Sequence, residues 1–434
     1  MSALITLIIC ITLLIIAITI FKIHPIPALL FFGLLLGITT GGTVSTVTES
    51  LLNGFGNTLK WIGLIIFFGA FLGEILSESG GAEIIANTII KVFGVKYLPL
   101  SMAFIGFLIG IPVFMDVAYL TLLPTLQVLS KKSGHSILAL GLSLAMSLTV
   151  AHALIPPTPG PLAVAALLEV NVGDIIPLNI LIAIFAIGGG LIWLQWNKKF
   201  LQRAKTQETI QISVEKKQLK GFKKILPFVA LLLPLALMSI GAIYSSDNQI
   251  IAFIKNPIWA LSLGILCALP LISTLDFSKT IHQYFQNAAS KTALVILITG
   301  TGGAFGQVIK DTEIVNALFS DVNATGVMVI IIPFFLSMLF TTVTGSITVS
   351  LITTASIVAP LIANGMLDPK FTTAAICAGS LGIIHVNSSF FWLFKEVHDM
   401  SVSKLLKSFS VLSLMTSLSG GVIVLATYYI QGLL

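Results

Sequence analysis

The residues able to do chemistry in this chain stand where long apolar stretches are interrupted. His152-Ala-Leu-Ile-Pro156-Pro157-Thr158-Pro159-Gly160-Pro161 packs four prolines into six residues. Such a run cannot continue a helix. Apolar residues precede it, and Leu162–Leu168 follow. Broken backbone at membrane depth is tolerated only where it is buried in protein or lines a cavity. One reading is therefore the tip of a re-entrant hairpin that offers His152, Pro157, Thr158 and Gly160 to a substrate. The other is a rigid turn at a membrane surface. His385-Val-Asn387-Ser388-Ser389 supplies imidazole, amide and hydroxyl groups after another apolar run. These groups would bind a hydroxylated or carboxylate solute, or would bond between helices. Thr344-Gly345-Ser346-Ile-Thr348, in a stretch from Thr341 to Ser350, is polar but uncharged. A helix broken there would turn hydroxyls and free amides toward an anion. Its alternative role is hydroxyl packing between helices.

One acid sits deep in an apolar stretch. Asp116 follows Gly110-Ile-Pro112-Val-Phe-Met and has apolar residues on both sides. Acids at that depth are costly and are kept mostly for function, so Asp116 is the first choice for a proton-coupling site. Capping a broken helix is its other possible use. His152 is the second proton-coupling candidate, because imidazole titrates near neutrality. Structural hydrogen bonding is the commoner use of a lone helical histidine.

Such residues need elements to position them, and composition says which. Of 434 residues, 56% are hydrophobic and 9% are charged. Soluble domains carry about 25% charge. This excludes a soluble enzyme, a disordered chain and a disulfide scaffold. The apolar runs are continuous rather than alternating, so the expectation is an all-α polytopic membrane protein and not a barrel. Clear spans are expected near 3–21, 59–77, 175–196, 225–243, 257–273, 291–309, 324–340 and 408–430, with a shorter one over 26–40. Three irregular stretches, 98–130, 135–168 and 341–391, carry the interruptions described above. The run 3–21 lacks a basic leader and reads as a retained span rather than a signal peptide. Cys10, Cys267 and Cys377 form no CxxC pair and read as buried thiols.

The net charge of +6 does not point to nucleic acid. Nine of the 23 basic residues lie between Lys198 and Lys224, as the positive-inside rule would place them in a cytoplasmic loop. Residues 1–196 then form an N-terminal membrane half, 197–224 a basic linker and 225–434 a C-terminal half. The segment 41–58 reads as an outside loop and 274–290 as a cytoplasmic surface helix. Arg203 is the only arginine, so no intramembrane guanidinium is available to grip a carboxylate.

The halves also repeat. Residues 69–79 and 302–312 align at an offset of 233, matching Gly69 with Gly302, Gly73 with Gly306 and Glu78 with Asp311. His152 falls on His385 at the same offset. The charge pattern makes the two copies cross in opposite directions. That predicts two inverted-topology repeats, within about 59–196 and 291–430, with broken helices and re-entrant hairpins. HExxH, GxSxG and GxxxxGK[ST] are all missing, so neither those enzyme classes nor ATP-driven pumping is expected. No metal or other cofactor is expected.

Together, the Gly69–Ser79 and Gly302–Thr312 repeats, Pro112–Asp116, His152–Pro161 and His385–Trp392 resemble the gluconate permease (GntP) family of bacterial proton symporters, over roughly residues 5–430. The resemblance implies the ion-transporter superfamily fold, a homodimer and possible elevator-type motion. It implies a multi-pass protein of the bacterial inner membrane. The implied substrates are gluconate and related small hydroxycarboxylates, with D-serine in one branch. The family pattern often places an acid after His-Val-Asn, where this chain has Ser388, and some members have His where it has Thr158. The expected function is proton-coupled uptake of a small hydroxycarboxylate. A transporter of D-serine or another solute, or one coupled to sodium, is the nearer alternative. A membrane-embedded enzyme using Asp116 and His152 is the distant one.

Overall fold

The computed structural model describes residues 6, 9–10, 12–14, 16–17, 21, 23–94, 97–133, 135–198, 201, 221–243, 249–272, 276–311, 328–363, 367–386 and 388–433. Among these the chain is helical, with no strand. The first half contains α1 (Pro25–Thr39), α2 (Val44–Glu78), α3 (Gly81–Phe93), α4 (Leu98–Gly110) and α5 (Met115–Ser133). It continues with α6 (Ile137–Leu154), α7 (Pro159–Leu167) and α8 (Val172–Trp196). The second half contains α9 (Leu226–Ile243), α10 (Gln249–Lys255), α11 (Pro257–Ala268), α12 (Phe277–Asp311), α13 (Met328–Thr344) and α14 (Ile347–Ala363). It ends with α15 (Pro369–Gly379), α16 (Ser389–Val397), the short α17 (Val402–Leu405), a π-helical turn (Leu406–Ser410) and α18 (Val411–Leu433).

The 233-residue offset organises these elements. α2 and α12 are each 35 residues long, and both ends differ by 233 positions. After the helix breaks the offset falls to 230: α7 begins at Pro159 and α16 at Ser389, α8 at Val172 and α17 at Val402. The first part of α2 (Phe55, Thr58) packs on the later part of α12 (Gly300, Gly303). The later part of α2 (Phe67, Glu74) meets the first part of α12 (Phe285, Asn287, Lys291). The two helices therefore run antiparallel.

Two expectations about the segments flanking the spans do not hold. Residues 44–58 are helical and belong to α2, which starts early because Thr43 and Thr46 form a reciprocal capping box. α2 accommodates the extra length with a 42° bend between Lys60 and Gly63. Likewise the polar segment 277–290 is the first part of α12 rather than a separate surface helix. Of the basic linker 197–224, residues 199–200 and 202–220 lie outside the described residues.

Four helical spans are long and apolar enough to cross a membrane among the described residues, and the bent α2 makes a fifth. Large apolar side chains such as Leu52, Ile184, Ile332 and Val422 face outward, as lipid contact requires. The α6–α7 span behaves differently: 89% of its apolar window is buried inside the protein. It runs through the centre, where its broken backbone has protein on all sides.

Candidate functional site

The chain breaks once inside a continuing span and once between α15 and α16, and it turns twice in hairpins. α6 stops at Leu154, and α7 resumes at Pro159 within one 31-residue span. The Pro-rich segment is thus a break in a continuing span, not a hairpin tip. Pro156, Pro157, Pro159 and Pro161 carry no N–H, so a buried break made of them leaves few donors to satisfy. The remaining amides of Ile155, Thr158 and Leu162 donate to Ala151, Ile155 and Thr158 carbonyls at 2.9, 3.2 and 3.4 Å. The Thr158 hydroxyl also donates to the Ile155 carbonyl, at 2.6 Å.

The first hairpin tip falls instead at Ile111–Phe114, between α4 and α5. Gly106 of α4 packs on Leu144 and Ser147 of α6, and Gly110 packs on Leu148 and Ala151. α4 and α6 therefore run parallel, so the intervening α5 returns the chain. The second tip is Gly345–Ser346, between α13 and α14. Ser337 and Ser350 hydroxyls, one on each arm, are 3.0 Å apart. Gly345 adopts φ +72°, a conformation that costs any residue with a Cβ. The Ser346 amide donates to Thr344 Oγ1 and the Val349 amide to Ser346 Oγ, each at 3.3 Å, which closes the turn.

The second tip is bracketed by two histidines. His152, the buried imidazole next to the first break, lies 3.4 Å from Thr348 Oγ1 on α14. His385, in the second break, donates from Nε2 to the Thr342 carbonyl on α13, at 2.6 Å. The second hairpin thus touches the broken spans of both halves. Gly160 at the start of α7 lies against the Leu351 side chain of α14. Ser388 is buried, and its amide donates to the His385 carbonyl at 2.9 Å, whereas Ser389 opens α16 and is exposed. Asn387 lies outside the described residues.

α2 closes the first half of the site. Gly73 lies against the Pro112 carbonyl of the first hairpin tip, and Gly69 against the Pro157 carbonyl of the first break. A narrow cleft between them is lined by Gly69, Pro112, Phe114, His152, Pro157 and Thr158. Asp116 begins the first turn of α5, beyond this tip. Its Oδ1 is buried without a hydrogen-bond partner.

The structure therefore gathers His152, Pro157, Thr158, Gly160 and Thr348 around one junction, with Thr344, Gly345 and Ser346 in the adjoining tip. His385 and Ser388 reach that tip from its other side through Thr342. No described contact joins them directly to His152. Sequence reasoning did not single out Thr342 or Gly69 as neighbours of the breaks; the signals were the polar stretch from Thr341 to Ser350 and the glycines spaced four apart at 69/73 and again at 302/306, a GxxxG pattern that marks close backbone approach. Among the described residues, no cluster of acids, histidines and cysteines is arranged to hold a metal ion.

Known proteins match this chain over nearly its whole length. A family model described as GntP family permease covers residues 2–430. A gluconate permease of Pseudomonas aeruginosa is 32% identical over 426 residues, which span 95% of this chain and 94% of that protein. The Gnt-II system L-idonate transporter of Escherichia coli is 29% identical, with 94% of each chain covered. Among solved structures, the Alcanivorax borkumensis YdaH transporter superposes with a TM-score of 0.75 at 16% identity, covering 94% of this chain and 99% of its own. Neisseria gonorrhoeae MtrF superposes at 0.63 and 14% identity, covering 93% and 94%. At those identities the structures speak for the fold alone. The apolar helices, the paired breaks and the full-length family match lead to one conclusion: this chain is a membrane permease of the GntP family.

Proposed function

We propose that this permease takes up gluconate or a related small hydroxycarboxylate together with protons, across the bacterial inner membrane. The observation that carries the reading is the His152–Thr348 contact, which joins the broken span of one half to the hairpin of the other. A solute held there touches both halves at once. The antiparallel pairing of the matched helices α2 and α12 supports halves of opposite orientation, the arrangement from which alternating access is built.

The substrate chemistry follows from what surrounds that junction. The helical N-termini of α7 and α14 both begin at it, and such ends favour anions. Thr344, Ser346, Thr348 and Thr158 add hydroxyls. With no arginine outside position 203, dipoles and neutral donors must hold the carboxylate. Sugar hydroxyls suit the imidazoles of His152 and His385, and the amide of Asn387 and the hydroxyls of Ser388 and Ser389 are further candidate ligands. Asp116 would carry the proton: a buried carboxyl oxygen with no partner is better tolerated neutral than charged. The protein works in this reading as a homodimer.

Purified protein in liposomes tests the proposal. Radiolabelled gluconate should accumulate when the outside is acid and the inside alkaline, with or without sodium. Accumulation that follows a sodium gradient at fixed pH would remove the proton coupling. Failure to take up any of a panel of sugar acids would remove the substrate class.

A further inference from the structure

We propose that Asn179 and Ser410 are matched positioning residues that hold the two helix breaks in shape and thereby set the affinity for substrate. The inference rests on the breaks forming the substrate site. A helix that stops inside protein leaves its last carbonyls without partners. Leu154 is the last residue of α6, and its carbonyl accepts a hydrogen bond from Asn179 Nδ2 at 2.7 Å. Ile384 lies in the second break, and its carbonyl accepts from Ser410 Oγ at 2.6 Å. Its amide donates to Ser413 Oγ at 3.0 Å.

The two carbonyls hold the same place relative to the half-helix that follows. Each stands five positions before its half-helix resumes, Leu154 before Pro159 and Ile384 before Ser389. Both donors come from the long span that follows, α8 in one half and the helix Val402–Gln431 in the other. Both are buried, Asn179 at 0% and Ser410 at 5% exposure. Moreover, each donor sits at an irregularity in its own helix. Pro177 lies inside α8 two residues before Asn179, and Ser410 closes the π-helical turn Leu406–Ser410. Interior prolines and π turns both disturb the regular ladder and redirect nearby side chains. The halves thus use different side chains and different backbone devices to hold a carbonyl five positions before the resumed half-helix. Packing alone would not require that coincidence.

The consequence falls on the histidines. His152 is two residues before Leu154, and His385 is one after Ile384. Losing either donor leaves a buried carbonyl unpaired, frees the break to shift, and moves the adjacent imidazole off its contact with Thr348 or Thr342. Asn179 and Ser410 touch no substrate in this account; they act through the breaks.

The test is initial-rate uptake of radiolabelled gluconate into liposomes over a range of concentrations. Asn179→Leu and Ser410→Ala should each raise KM about tenfold while maximal rate changes less than about threefold. Ser410→Thr keeps the hydroxyl and should stay within about twofold of the parent KM. Ser262→Ala is the control, because Ser262 donates to the Ile258 carbonyl within α11, away from both breaks; its KM should not move. Should Asn179→Leu fail to fold, the Ser410 series decides. Parent-like KM in Ser410→Ala, with only a lower melting temperature, would overturn the proposal. His152→Ala and Thr348→Val run alongside: unchanged KM in those two would refute the substrate site itself, whereas unchanged KM confined to the Asn179 and Ser410 variants refutes only this inference.

Discussion

At the scale of single residues, transport depends on polar groups set among apolar ones. Asp116 is the clearest, with one carboxyl oxygen enclosed and unbonded. Asp116→Asn should abolish concentrative gluconate uptake while leaving exchange of gluconate across the membrane in place, measured as counterflow in liposomes. Retained accumulation against a gradient would remove it as the coupling site. Thr348 makes a second prediction, since its hydroxyl is the one that meets His152. Thr348→Val keeps the shape and loses the donor, and should weaken gluconate binding about tenfold by titration of the detergent-purified protein. These residues were legible in the sequence because a polar or Pro-rich interruption is conspicuous in an apolar run. Asn179 and Ser410 were not. A single amide in α8 or one serine among many near α18 carries no pattern, and its meaning depends on a carbonyl 25 or 26 positions away.

At the scale of elements, α2 is the wall against which the first hairpin tip and the first break rest. Gly73 faces the Pro112 carbonyl with no room for a methyl group, and at Gly69 a Cβ would lie 2.8 Å from the Pro157 carbonyl. Gly73→Ala should therefore destabilise the protein by about 1–3 kcal/mol through forced displacement of backbone, seen as a lower melting temperature in detergent. Gly69→Ala should show a smaller fall. Lower on the same helix, Glu74 accepts from Lys291 and from Asn287 of α12, the latter at 2.7 Å. Glu74 is enclosed, whereas the Lys291 side chain is a third exposed, so solvent weakens the pair. Lys291→Met should cost about 1–3 kcal/mol, and adding Glu74→Gln should recover part of the loss in melting temperature. Element identity was only partly legible. The interruptions at residues 112, 156–161, 345 and 385 were all visible, but which were hairpin tips and which were breaks within spans was not. That distinction depends on whether the chain reverses, as the Ser337–Ser350 contact shows for α13 and α14. Periodicity cannot report reversal.

At the scale of the whole molecule, the repeat was the most informative sequence feature. An offset read from two GxxxG segments and a pair of histidines reappears as identical bounds for α2 and α12. The shift to 230 was invisible to it, because three residues are lost where the chain has no regular structure to keep register. The readings of 41–58 as a loop and of 274–290 as a separate surface helix failed for a related reason: charge and polarity mark what faces water, and a long helix that leaves the membrane stays helical while it does so. The two halves are also chemically unequal. Glu74 has Gln307 as its mate, Lys291 has Thr58, and Asn387 with two serines stands opposite a run of prolines. Thus the first break is rigid and poor in donors, while the second supplies polar groups, which fits one asymmetric solute bound between two related halves. Coupling its entry to protons is the central claim, and proton movement tests it most directly. Liposomes holding a trapped pH dye, with no imposed gradient and an ionophore to cancel membrane potential, receive gluconate on the outside. The lumen should acidify as gluconate enters, and should do so much less with Asp116→Asn. Gluconate entry at the parent rate with no change in lumenal pH would contradict the account.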